Sequence, residues 1–430
     1  MKKIIINAEN KKDILNTLLK RSTLNYGKYE EKVQKIVEAV KNDGDEALFS
    51  FTKEFDGFSL NKDNILVTKE EIKDAYKKVS PELVEILKEA AENIRDFHER
   101  QVKNTWINTK PDGSILGQRI IPVEIAGTYA PGGKAAYPSS VLMNVIPAKV
   151  AGVERIILAT PPAKDGSVAA NTIVAADIAG VDEIYKMGGA QAIAAMAFGT
   201  DSVPKVDKIT GPGNIFVALA KKNVYGNVGI DSIAGPSEIV VLCDETANPR
   251  FVAADLLSQA EHDELASAIL VTTDASMADK VEAEIKEFTK VLSRKDIIEA
   301  SLDNFGFLIV TKDMDEAVSV VNDIASEHLE ILTKNPFEVM TKVKNAGAIF
   351  LGEYSSEPLG DYFAGPNHIL PTNGTSRFFS PLSVDDFVKK TSIISFSKEA
   401  LSKVHEKIET FAESEGLTAH ANSIKVRFDK

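Results

Sequence analysis

The sequence predicts an α/β protein built from two doubly wound lobes, with small segments at the N- and C-termini. Three observations lead there. From about residue 115, short β-branched runs alternate with small-residue helical stretches, the pattern of a mostly parallel sheet with crossover helices. Glycine clusters fall where those runs end, in Tyr129-Ala130-Pro131-Gly132-Gly133, Gly188-Gly189-Ala190-Gln191 and Thr210-Gly211-Pro212-Gly213-Asn214. The chain of 430 residues is also longer than one core ordinarily supports, which suggests two large lobes.

Up to about residue 105 the pattern is mostly helical. Val33, Ile36, Val37 and Val40 recur at helical spacing, and Ser80-Pro81 opens a helix in which Ser80 caps free amides and Pro81 takes the first position. His98, in the tail of that helix, reads as a structural or surface histidine. Strands are expected at 155–160, 182–187, 205–210, 238–243 and 268–273, with helices at 169–179, 190–198, 215–222 and 251–262 between them. The repeat continues with strands near 307–311 and 348–351 and helices near 315–324 and 337–344. After about 380 a strand at 391–396 precedes a charged helix at 398–415, which Gly416 ends with a left-handed cap. His405 is expected to face solvent, and His420 to lie on a loop free to reach a site.

Lys and Arg number 50 against 63 Asp and Glu, a formal charge of −13. Nucleic-acid backbones and anionic membranes are therefore poor partners, and a small molecule is the better expectation. The N-terminal apolar run is too short for a signal peptide, and no stretch approaches the ~20 apolar residues of a membrane span. The one cysteine, Cys243, rules out an intrachain disulfide and fits a reducing compartment; it reads as a packed thiol in a buried strand.

The stretch 253–263, taken as a helix, puts Gln259 and His262 on one face, half of a possible zinc shell, although a plain polar face would look the same. In Glu327-His328 an imidazole that titrates near neutrality stands beside a carboxylate able to activate water. Asp361 sits in a glycine-bounded turn, where local hydrogen bonding would suffice to explain it; as a hard oxygen ligand it could join Gln259, His262 and His420 in a mixed shell. None of the glycine turns matches G-x-G-x-x-G, so each is as readily structural as phosphate-binding.

Taken together and in order, the three glycine turns, Ala234-Gly235-Pro236-Ser237-Glu238, Leu257-Ser258-Gln259-Ala260-Glu261-His262, Glu327-His328-Leu329-Glu330, Gly360-Asp361-Tyr362 and Gly416-Leu417-Thr418-Ala419-His420 span nearly the whole chain. In these the chain resembles the L-histidinol dehydrogenase family. The resemblance implies zinc-dependent oxidation of L-histidinol to L-histidine through an aldehyde, with NAD as cofactor. It implies Gln259, His262, Asp361 and His420 as ligands of one Zn²⁺ per subunit, and Glu327 and His328 as the catalytic acid/base pair. Ser237, His328 and Glu415 are implied as substrate contacts alongside the metal ligands, and Tyr129, Gln191 and Asn214 as NAD contacts. The implied fold is two incomplete Rossmann-like lobes: residues 26–128 with 236–381, and an inserted lobe at 129–235. Residues 1–25 and 382–430 form small segments, the latter exchanged in a cytoplasmic homodimer. His368 is expected to line the substrate pocket. A zinc hydrolase and a zinc-bound imidazole- or amine-binding protein are the competing readings, and a thiohemiacetal on Cys243 the competing chemistry.

Overall fold

In a computed structural model of the chain, residues 1–6, 10, 27–132, 137–233 and 235–429 are described. Most of the expected segment 1–25, together with Gly133 and Ala234, lies outside them. The chain divides into two compact units, Met1–Gln101 with Val123–Phe387, and Val102–Pro122 with Val388–Lys430.

The first unit holds two sheets among its described residues. One runs, in spatial order, Glu183–Lys186, Arg155–Thr160, Ile125–Tyr129, Lys208–Thr210 and Gly229–Ile230, with every neighbouring pair parallel. The other runs Lys2–Ile5, Gly306–Val310, Ser267–Thr272, Glu238–Cys243, His328–Leu332 and Ala348–Leu351, again all parallel. Both sheets wind the same way. Leaving aside the edge strand Lys2–Ile5, the chain enters a central strand, adds two strands on one side, then crosses back and adds two on the other. Winding reverses between Ile125–Tyr129 and Lys208–Thr210 in one sheet, and between Glu238–Cys243 and His328–Leu332 in the other.

Helices on both faces explain why these strands read as continuous apolar runs: every residue of Glu238–Cys243, Ser267–Thr272 and His328–Leu332 is buried. The helix Gly27–Asp43 buries Val33, Ile36, Val37 and Val40, as their spacing predicts. Ser80 accepts from the Leu83 amide and Pro81 opens the helix Pro81–Glu99. His98 is buried there, its Nδ1 2.7 Å from the Ile94 carbonyl, a structural histidine.

The helix capped by Asn248 stops at Ala260, two residues before its expected end, so His262 lies beyond it. The basic N-terminal run forms the strand Lys2–Ile5 against Gly306–Val310, which periodicity over three apolar residues could not reveal.

The second unit is an antiparallel sheet in the order Val388–Ser395, Ile115–Pro122, Trp106–Thr109, followed by helices. The expected charged helix is two helices, Lys398–Ser402 and His405–Ser414. Gly416 takes the left-handed cap at φ 73°, but His420 sits in the helix Thr418–Lys425 and not on a loop. His405 is half-buried, its Nδ1 3.0 Å from Glu409 and its ring stacked 4.3 Å from Phe428.

One glycine shows how tightly the strand ends are packed. Gly211 has φ 122°, and a Cβ there would lie 2.2 Å from the Tyr129 carbonyl oxygen. Its amide donates to Asp231 (2.8 Å) and its carbonyl accepts from Lys221 (3.0 Å), which form a buried ion pair with each other. Gly211→Ala should therefore cost about 2 kcal/mol or more, seen as a lowered Tm in scanning calorimetry; an unchanged Tm would contradict this packing.

Candidate active site

His328 opens its strand, and Glu327 precedes it. The register pairs His328 with Ile239, which brings both residues against Glu238. The Glu238 amide donates to Glu327 Oε2 (2.9 Å), and the Glu238 carbonyl lies 3.0 Å from His328 Nδ1. A carbonyl can only accept, so Nδ1 carries the proton and Nε2 holds a bare lone pair. That Nε2 is buried, finds no hydrogen-bond partner among the described residues, and lies 3.9 Å from Asp361 Oδ1. Burial pulls the His328 pKa down to about 4, which keeps the ring neutral. Burial likewise raises the Glu327 carboxyl well above the usual range, against the pull of the Glu238 amide.

Asp361 does not lie in a turn. It occupies the short helix Glu357–Tyr362, one turn after Glu357. His262, Glu357 and Asp361 each place one ligand atom within 4.8 Å of the others. Burial, with the adjacent Asp361 charge, pushes Glu357 up to about 8, and burial pushes Asp361 up to about 6. Two carboxyls this close hold a proton between them or a cation in its place. Gln259 is buried nearby in sequence, its Oε1 without a hydrogen-bond partner among the described residues. His262 is not on a shared helix face; its amide reaches back to the Gln259 carbonyl (3.2 Å) past the helix end. An orphaned amide oxygen, an imidazole and paired carboxylates fit a divalent cation of mixed N/O preference such as Zn²⁺.

Glu357 escapes a reading of the sequence, although its four-residue spacing from Asp361 on a helix is visible there. It accepts from Ser258 Oγ (3.1 Å), and its amide donates to the buried Glu330 (2.8 Å), which pairs with the half-buried Asp255. His368 anchors this group to the other lobe. Its Nδ1 donates to the Asp361 carbonyl (3.1 Å), and its Nε2 lies 3.3 Å from Ser140 Oγ, in the helix Pro138–Ala151.

A cleft of about 860 Å³ lies beyond the carboxyl ends of Ile125–Tyr129, Arg155–Thr160 and Lys208–Thr210, across the point where the winding reverses. Tyr129, Gln191 and Asn214 all line it, with Asp56 and Gly132. The Tyr129 hydroxyl accepts from the Gly189 amide (3.1 Å). Asn214 Oδ1 caps the helix Ile215–Val224 by accepting from Phe216 and Val217. Gln191 Oε1 is buried without a hydrogen-bond partner among the described residues. The glycines also have a packing role: a Cβ on Gly132 would lie 2.5 Å from the Pro161 ring.

Ser237 is half-buried and its carbonyl accepts from the Ser267 amide (3.0 Å). Glu415 and His420 are exposed and belong to the second unit. Cys243 is buried in its strand, as expected, and burial pushes its thiol up to about 12. At pH 8 the native protein should therefore resist iodoacetamide for as long as the unfolded chain takes to react fully. Rapid native labelling of Cys243, detected by mass spectrometry, would contradict this.

The model of the family described as histidinol dehydrogenase matches residues 19–428. Histidinol dehydrogenase of Halalkalibacterium halodurans is 58% identical over 397 residues, 92% of this chain and 93% of that one. Histidinol dehydrogenase of Clostridium acetobutylicum is 59% identical over 396 residues, 92% and 91% of the two chains. The crystal structure of histidinol dehydrogenase from Elizabethkingia anophelis aligns with a TM-score of 0.94 at 39% identity, covering 99% of this chain and 98% of that one. With a family match along almost its full length and the same fold throughout, the chain belongs to the histidinol dehydrogenase family.

Proposed function

We propose that the protein oxidises L-histidinol to L-histidine through L-histidinal, as the last steps of histidine biosynthesis, reducing two NAD⁺ and consuming one water. Membership of the family supports the overall activity. The observation that carries the chemistry is the state of His328, a neutral imidazole whose Nδ1 is committed to the Glu238 carbonyl and whose Nε2 is bare.

Gln259, His262, Asp361 and His420 hold one Zn²⁺ per subunit in this reading. When bound, the metal would supply Lewis-acid positioning of the substrate, and NAD⁺ would supply the hydride acceptor. His328 Nε2 takes the hydroxyl proton, since its other nitrogen cannot. In the second oxidation Glu327 takes a proton from water as it adds to the aldehyde, held in place by the Glu238 amide. Ser237, His328 and Glu415 contact the substrate, and Tyr129, Gln191 and Asn214 contact the dinucleotide.

The lobe of residues 26–128 and 236–381 supplies the metal and catalytic groups, and the inserted lobe of 129–235, with Asp56 from the preceding segment, the dinucleotide cleft. The segment 382–430 is exchanged in a homodimer, so that Glu415 and His420 come from the other copy. Their exposure supports this, as do the exposed apolar side chains Ile107, Ile394 and Phe411 in the same unit. A cytoplasmic setting fits an unpaired thiol and a biosynthetic role.

Glu327→Gln should slow oxidation of supplied L-histidinal by a factor of ~10² or more while affecting the alcohol step less. Equal losses in the two half-reactions, measured by stopped-flow, would remove Glu327 from the activation of water. Cys243→Ala should leave turnover of both steps unchanged, because a thiol raised by burial is no nucleophile; a collapse of the second step would restore the thiohemiacetal route.

A further inference from the structure

Asp56 ends the helix Asp45–Asp56, and its side chain lines the cleft that also holds Tyr129 and Gln191. Gln191 Nε2 lies 3.5 Å from Asp56 Oδ2, at the long limit of a hydrogen bond. The other atom of that amide, Oε1, is buried with no donor among the described residues. The half-buried Asp56 carboxylate therefore presents two acceptor oxygens to the cleft, one of them steadied by the Gln191 amide nitrogen. Two acceptors together suit two neighbouring hydroxyl donors, which is the arrangement of a ribose diol.

Charge makes the same spot hostile to phosphate. Asp56 is the last residue of its helix, where the aligned peptide dipoles leave a partial negative charge that adds to the carboxylate. Burial pushes Asp56 up to about 6, so it is still ionised at neutral pH, and hydroxyl donors would relieve that burial. Among the described residues lining the cleft, the cation is Lys164. It is exposed, and its stem passes 3.4 Å from where a Cβ on Gly57 would sit.

We propose that Asp56, steadied by Gln191, receives the adenosine ribose diol of the dinucleotide, and that Asp56 sets the preference for NAD⁺ over NADP⁺. A 2′-phosphate on that ribose would replace one donor hydroxyl with a dianion facing a carboxylate. This inference rests on the reading of the cleft as the dinucleotide site.

The test is equilibrium binding of NAD⁺ and NADP⁺ by calorimetry at pH 7.5 to the full-length protein, Asp56→Asn, and Asp56→Asn combined with Lys164→Ala. The unaltered protein should bind NAD⁺ at least about tenfold tighter than NADP⁺. Asp56→Asn should weaken NAD⁺ by about tenfold and hold or strengthen NADP⁺, bringing the ratio towards one. Any NADP⁺ gain should vanish with Lys164→Ala, because that lysine is then the cation left to meet the phosphate. A melting curve accompanies each variant, and Asp56→Ser replaces Asp56→Asn if the latter does not fold. An Asp56 variant that folds and keeps the original NAD⁺/NADP⁺ ratio overturns this inference alone. Absence of NAD⁺ binding to the unaltered protein overturns it together with the assignment of the cleft.

Discussion

The backbone of Glu238 holds the two residues to which the proposed chemistry is assigned. Its amide binds the Glu327 carboxyl and its carbonyl binds His328 Nδ1, so one peptide unit sets both the position of an acid and the tautomer of a base. That arrangement follows from register. Glu238–Cys243 and His328–Leu332 are buried on both faces, and a slip of one residue between them would turn every side chain to the opposite face. Core packing of Val240, Leu242, Leu329 and Ile331 therefore specifies the contacts of Glu238. The geometry of the proposed catalytic pair is a by-product of an apolar constraint.

The two sheets use opposite ends. In one, the cleft with Tyr129, Gln191 and Asn214 sits beyond the carboxyl ends of the strands, as an open α/β sheet predicts. In the other, Glu238 and His328 open their strands, so the acid and histidine cluster gathers at the amino ends. The helix Pro249–Ala260 accounts for this. It runs back from the carboxyl end of Glu238–Cys243 and delivers Gln259 and then His262 at its own C-terminus, where the helix dipole favours a cation. Glu327, Glu330 and Glu357 are buried there and Asp361 half-buried, all with carboxyls raised by desolvation, a concentration of acid that a bound cation would offset. His368, shared between Asp361 and Ser140, ties this cluster to the lobe that carries the cleft.

Much of this is legible from sequence where the signal is local. Ser80-Pro81 marks a helix start because capping chemistry acts within one turn, and Arg155–Thr160 and Glu238–Cys243 appear at their predicted bounds because buried parallel strands are unbroken apolar runs. What escapes depends on distant partners. Trp106–Thr109 and Ile115–Pro122 carry no clean alternation, and the pairing of Ile115–Pro122 with Val388–Ser395 joins segments more than 260 residues apart. Periodicity makes the helix bearing Gln259 two residues too long, since Glu261 and His262 have no stop signal such as glycine, and it makes Asp361 a turn residue because Gly360 looks like a breaker. Gly360 is in fact inside the helix, where a Cβ would lie 2.6 Å from the Phe350 ring. Glu357 and Asp56 stay silent in the sequence for one reason: an isolated acid says nothing until the fold shows what it faces.

Electron count and metal dependence together separate a four-electron zinc dehydrogenase from every competing chemistry. The direct measurement is NADH formed per L-histidinol consumed by the purified protein, before and after treatment with a chelator and after Zn²⁺ is returned. Two NADH per histidinol, lost on chelation and regained with Zn²⁺, is the predicted result. One NADH with the aldehyde released, or turnover indifferent to the chelator, would contradict it.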